Sequence, residues 1–184
     1  MAILKIHKDD SEYLHKKADL VTFPLSDEVN TLISDMKETL NSKKSAVGLA
    51  APQVGASLAI IVCKLANLEE PFVMINPTII KAADMDHGQF EMCLSYPDEV
   101  YDVVRAKRIA VRFYDEFGYH YVLKYRTQDA TIIQHEVDHL LGITIKDRGK
   151  PVNKQVVDAI LGALSGDNKD LDLEEGEEDT NAED

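Results

Sequence analysis

Residues 134–142 read QHEVDHLLG, with two histidines four positions apart and a glutamate directly after the first. On an α-helix, positions i and i+4 stand one above the other on the same face. His135 and His139 can therefore aim their imidazoles at a single point, which suits a divalent metal. Glu136 falls at the edge of that face, within reach of a water at the metal without being a ligand. This is the H-E-x-x-H pattern, whose usual chemistry is metal-assisted hydrolysis. The bland alternative is a surface helix of solvated acids and histidines, because short patterns arise by chance. Two ligands also do not close a site. A catalytic centre needs a third protein ligand and one open position.

A chain of 184 residues, 45% apolar, suffices for one domain with a substantial core and is short for two. Its apolar runs fall short of the roughly 20 residues that span a bilayer. The opening MAILKIHKDD has neither the apolar core of a signal peptide nor the Arg/Ser bias of a transit peptide. Two cysteines, Cys63 and Cys93, are too few for a disulfide framework and favour a reducing compartment, so a cytoplasmic protein is expected. The net charge of −13 is unevenly spread. Residues 165–184 hold ten acids and one lysine, or −9, which leaves 23 acids against 19 bases, or −4, for residues 1–164. This acidic tail is expected to be disordered and solubilising, with docking to a basic partner as its less favoured role. The linear sequence has no basic stripe and no aromatic platform, so direct nucleic-acid reading is not expected.

Residues 26–43 predict a helix, with Ser26 as N-cap and Val29, Leu32, Ile33, Met36 and Leu40 at helical spacing. LAIIVCK (58–64) and PFVMIN (71–76) predict short buried strands, with Cys63 a core residue rather than a ligand. In RIAVRFYD (108–115), Ile109, Val111 and Phe113 point one way and Arg108 and Arg112 the other. A turn at residues 116–118 then leads to the alternating YHYVLKYR (119–126), which completes an antiparallel hairpin. A helix is predicted over 127–141, stopped by Gly142. The domain expectation is a single catalytic domain over 1–164, in which residues 152–164 form a C-terminal helix with Pro151 at its start. Residues 165–184 are the tail.

The third ligand is sought in FEMCLSYP, where Cys93 lies 42 residues before His135. A metal would deprotonate it, and one cysteine with two histidines and a water is a sensible open tetrahedral set. A buried, unligated cysteine is the default reading. AVGLAAPQVG (46–55) adds small residues around Gly48, where a backbone or ligand can approach closely. Gln53 offers an amide donor able to stabilise an oxyanion. Alone, this stretch reads only as tight backbone packing.

Taken in order, VGLAAPQ, E-x-CLS and QHEVDH resemble the three motifs of the peptide deformylase family, from ILKI near the N-terminus to about Leu141. The resemblance implies an α+β fold, with mixed or antiparallel β-sheets wrapped around a central metal-binding helix. It implies a metallohydrolase that removes the formyl group from the N-terminal formyl-methionine of newly made polypeptides, releasing formate. Cys93, His135 and His139 would be the metal ligands, with Fe2+ the usual ion and zinc, nickel or cobalt also accepted. Glu136 would act as general base and acid, and Gln53 and the backbone N–H of Leu94 would hold the oxyanion. Gly48 and Val47 would lie beside the substrate, while Glu91 and Arg105 would support the ligands from behind. Asp138 would act locally, without a catalytic part. The implied partners are N-formyl-methionyl nascent peptides and, transiently, the ribosome during co-translational processing. No membrane is implied, and a monomer is expected.

Three positions depart from the family's pattern. Ala46 stands where glycine is usual, Met92 replaces the glycine of E-G-C, and Val100 replaces an arginine. They bear on substrate preference and efficiency more than on reaction type. Thr131, Ile132 and Gln128 share a helix face with His135 and would line the methionine pocket, where Thr131 and Gln128 are more polar than an apolar pocket prefers. Three competing readings are a catalytically impaired relative that binds formylated peptides or ribosomes, an H-E-x-x-H peptidase that cuts internal bonds, and an inert structural protein.

Overall fold

The structure is a computed structural model that describes residues 2–165. Helix α1 (Asp27–Ser42) begins where expected, and the Ser26 hydroxyl accepts a hydrogen bond from the Val29 N–H at 3.4 Å. Then follow β1 (Gly48–Ala50), a 3-10 turn (Ala51–Val54), β2 (Ile60–Cys63), β3 (Phe72–Cys93), β4 (Tyr96–Tyr114) and β5 (His120–Arg126). Helix α2 (Thr127–Leu140) carries the histidine motif. After it come a short helix α3 (Ile145–Arg148), the short strand β6 (Gly149–Pro151) and helix α4 (Lys154–Ser165).

The strands form one antiparallel sheet in the order β1-β2-β3-β4-β5, with β6 beside β4. Both faces are covered around β2, which explains its unbroken apolar run. Ile60 and Val62 join Ile33, Met36 and Leu40 of α1 in one cluster. Ile61 and Cys63 pack with Ala130, Ile133, Val137 and Leu140 of α2 on the other side. Cys63 is thus a core residue, fully buried. The antiparallel sheet with its central helix is the α+β architecture expected.

The predicted hairpin is present, with Arg108 opposite Arg126 and Tyr114 opposite His120. Its turn is tied by Asp115, whose carboxylate accepts from the N–H groups of Phe117 and Tyr119 at 2.9 Å each. Gly142, at φ +71°, ends the α2 region as a left-handed residue should. Two details differ from expectation. Strand β3 does not stop near Asn76 but continues, through bulges, to Cys93. From Lys81 to Met85 its residues are exposed and follow no apolar alternation, so only the pairing with β4, which no local pattern announces, makes this stretch a strand. Pro151 does not start the last helix. It pairs with Tyr101 in β6, and the Asn153 side chain instead accepts from the Val156 N–H at 3.0 Å.

By its contacts the chain divides into two compact units, Met1–Val152 and Asn153–Asp184. The first contains the whole sheet and helices α1 to α3. The second contains α4; the acidic tail from residue 166 onward lies outside the described residues.

Candidate metal centre

Helix α2 is buried along most of its length, and only its first turn is open. It is docked by Gln134, whose amide donates to the Ala106 carbonyl at 2.9 Å and accepts from the Ala106 N–H at 3.0 Å. That clamp fixes α2 against β4 and sets the rotation of the residues that follow. His135 and His139 then lie one turn apart, with ring centroids 5.1 Å from each other.

Cys93 ends β3, where a tight turn through Leu94 and Ser95 leads into β4, pairing Cys93 with Tyr96. The turn brings the sulfur to 3.3 Å from Nε2 of His139. The ligand atoms of Cys93, His135 and His139 all lie within 4.8 Å of one another. One soft thiolate and two imidazoles make a donor set that fits zinc or ferrous iron. Nδ1 of His139 is buried with no hydrogen-bond partner among the described residues, and burial holds this imidazole well below its ordinary pKa, in the neutral form that ligation requires.

Gln53 sits in the 3-10 turn after β1, 1% exposed. Its side-chain oxygen accepts from the Ala50 N–H at 2.9 Å, which fixes the amide orientation. The NH2 end therefore faces Cys93 Sγ and Ser95 Oγ, each at 3.3 Å. Leu94, between these two, has its carbonyl hydrogen-bonded by the Lys8 ammonium at 3.1 Å.

Glu136 is 4% exposed, and its Oε2 has no hydrogen-bond partner among the described residues. Burial pushes its carboxyl up to about 7. The space for it is made by Gly48: a Cβ there would fall 2.2 Å from Oε1 of Glu136. The small residue expected to face substrate thus lies against the glutamate. Of the other residues expected beside substrate, Val47 is 41% exposed and Thr131 is half-buried. Ile132 lies within the core under the sheet. Among the departures from the family pattern, Ala46 packs into the α1 cluster, Val100 is buried, and Met92 is half-buried next to Cys93.

Behind the histidines runs a chain of buried charges. Nδ1 of His135 is 2.8 Å from Glu91 Oε2, which leaves its Nε2 for a metal. Arg105 grips Glu91 with two hydrogen bonds, at 2.7 and 2.9 Å, and reaches Asp138 at 2.5 Å. Burial disfavours the charge on Glu91, but the hydrogen bonds from Arg105 and His135 outweigh it and hold the carboxyl down at about 2. Asp138 in turn accepts two hydrogen bonds from Arg148 of α3, at 3.0 and 2.7 Å. Asp138 therefore bridges two arginines, more than the local role expected of it. Sequence reading missed Arg148 and Ser95. Ser95 lay inside a quoted motif, whereas Arg148 carries no local signal.

Comparison with known proteins agrees with this geometry. The polypeptide deformylase family model matches residues 3–155. Peptide deformylase 2 of Vibrio cholerae is 38% identical over 159 residues, covering 85% of this chain and 92% of the relative. A peptide deformylase of Natranaerobius thermophilus is 34% identical, covering 84% and 97%. Among solved structures, the Thermotoga maritima peptide deformylase superposes with a TM-score of 0.75 at 33% identity, covering 81% of this chain and 99% of that one. A class I type b peptide deformylase of Acinetobacter baumannii, bound to Met-Ala-Ser, gives 0.73 at 32% identity, covering 79% and 98%.

Proposed function

We propose, from the premise that this chain belongs to the polypeptide deformylase family, which of its side chains carry the family's reaction. The protein is a metal-dependent hydrolase that removes the formyl group from N-terminal formyl-methionine of new polypeptides and releases formate. Its substrates are formylated nascent peptides.

Cys93, His135 and His139 hold the metal, with ferrous iron as the ion in the cell. Once bound, a divalent ion supplies Lewis acidity, lowering the pKa of water and polarising the formyl carbonyl. Glu136 takes a proton from the attacking water and later gives it to the leaving amine. A carboxyl lifted to about 7 can do both near neutrality. The Gln53 amide and the Leu94 N–H donate to the developing oxyanion, and the Ala50 bond pre-orients Gln53 for this. Glu91, held by Arg105, fixes the tautomer of His135. Substrate passes by Val47, Gly48 and Thr131, with the buried Ile132 backing the pocket from the core side.

The observation that carries this reading is the convergence of one cysteine sulfur and two imidazoles beside a buried carboxylate whose Oε2 has no hydrogen-bond partner among the described residues. Nothing in the geometry favours the impaired relative, since each proposed chemical group is present and close to the others. We place the enzyme in the cytoplasm as a monomer, meeting its substrate at the ribosome. No helix among the described residues is long and apolar enough to cross a membrane. The test is formate release from formyl-Met-Ala-Ser by protein loaded anaerobically with iron or nickel. Glu136→Gln should keep its metal and lose turnover by about 10²–10⁴-fold; full activity in that variant would remove the assigned role.

A further inference from the structure

The sheet assembles a cationic face that is invisible in the linear sequence. Residues directly opposite one another in antiparallel strands point to the same side. On β4, Arg108, Ala110 and Arg112 alternate with the buried Ile109, Val111 and Phe113 and so face away from the core. Arg108 lies opposite Ala83 on β3 and Arg126 on β5, and Ala110 lies opposite Lys81 and Lys124. Lys81, Arg108, Arg112, Lys124 and Arg126 therefore share one face, and all five are exposed. From strand spacing and rise, they cover roughly 10 by 13 Å. Ala110, at their centre, is only 7% exposed, as expected where long cationic stems lie across it.

The face holds five cations against one carboxylate. Asp84 pairs with Arg108; among the described residues no acid pairs with Lys81, Arg112, Lys124 or Arg126. Like charges placed directly across a strand pair, as Arg108 and Arg126 are, destabilise the sheet. A chain of net charge −13 that nonetheless keeps such a cluster invites a polyanion.

We propose that this face docks on RNA by its phosphate backbone, holding the enzyme beside the translating ribosome. The proposal rests on the reading that substrate is met there. Guanidinium groups bind phosphate bidentately, and a broad, open face suits a row of phosphates better than one small anion. Contacts from long cationic side chains on a broad sheet face go to phosphates, so binding is electrostatic and indifferent to sequence.

The experiment uses the full chain and a fluorescein-labelled 20-nucleotide RNA hairpin, read by anisotropy across a KCl series, with co-sedimentation on purified large ribosomal subunits. The parent should bind at micromolar concentration or better. The variant Lys81→Gln/Arg112→Gln/Lys124→Gln should bind at least tenfold more weakly at 100 mM KCl, with the salt slope smaller by about 2 to 3. A charge-matched control, Lys5→Gln/Lys17→Gln/Lys44→Gln, should lose less than twofold. Parent and both variants should release formate from formyl-Met-Ala-Ser equally. That assay tests the deformylase reading independently of RNA. The proposal is overturned if the parent does not bind RNA, if the face variant binds like the parent, or if the control loses as much. Binding of poly-glutamate but not RNA, abolished by the face variant, would also overturn it and assign the face to an acidic protein.

Discussion

Glu136 and Gly48 work as a pair. Oε2 of the buried glutamate has no hydrogen-bond partner among the described residues, and glycine is the only residue type at position 48 that leaves the carboxylate room, since a methyl would come within 2.2 Å of Oε1. Gly48→Ala should therefore displace the carboxylate and lower kcat/KM by at least tenfold, with metal content unchanged by elemental analysis. Equal activity would mean that the carboxylate has freedom the packing does not suggest. At this scale much was legible in the sequence. His135 and His139 are four residues apart, so spacing alone predicted that they share a face, with Glu136 at its edge. Cys93 was different: 42 residues of chain separate it from His135, so ligand chemistry made it a candidate and only the resemblance chose it over a buried, unligated cysteine. The burial of Ile132 in the core and the contact of Gly48 with Glu136 were not legible. Periodicity gives a face, not the neighbour that covers it.

Helix α2 is an element whose position does chemical work. Gln134 satisfies both backbone groups of Ala106, so Gln134→Leu would leave two buried polar groups without partners. It should cost about 2–5 kcal/mol, measured by denaturant unfolding. The charge chain His135–Glu91–Arg105–Asp138–Arg148 links α2 to β3, β4 and α3. Glu91→Ala removes two of the hydrogen bonds of the buried Arg105 guanidinium, leaving it only Asp138, and frees the His135 ring. It should cost roughly 3–5 kcal/mol and weaken metal binding about 10–100-fold in a chelator competition. Arg148 is 44% exposed, and Arg148→Ala should cost no more than about 1 kcal/mol. Equal losses from the two variants would contradict this ordering. The helices and the β4–β5 hairpin were readable because each has a local period. The outer part of β3 has none: residues 81–86 (KAADMD) show no apolar alternation, are mostly exposed, and become a strand only by pairing with β4.

For the whole molecule, the metal joins segments that are distant in sequence, Cys93 at the end of β3 and the histidines of α2. Ligand binding to the folded state alone stabilises it by about 2.7 kcal/mol at a hundredfold excess over Kd. Anaerobic removal of the metal should therefore lower Tm by roughly 5–11 °C, and reloading should restore it. Charge is also distributed at this scale: residues 165–184 carry −9, while the cations of the sheet face come from three strands spread over residues 81–126. No window of the sequence shows that face, which is why a linear reading found no basic stripe. The central claim is most directly tested by X-ray absorption on zinc-loaded protein. The account predicts one sulfur at about 2.3 Å and two imidazole nitrogens at about 2.0–2.1 Å, with the sulfur scatterer lost in Cys93→Ser. A shell without sulfur in the parent, or an unchanged spectrum in that variant, would contradict it.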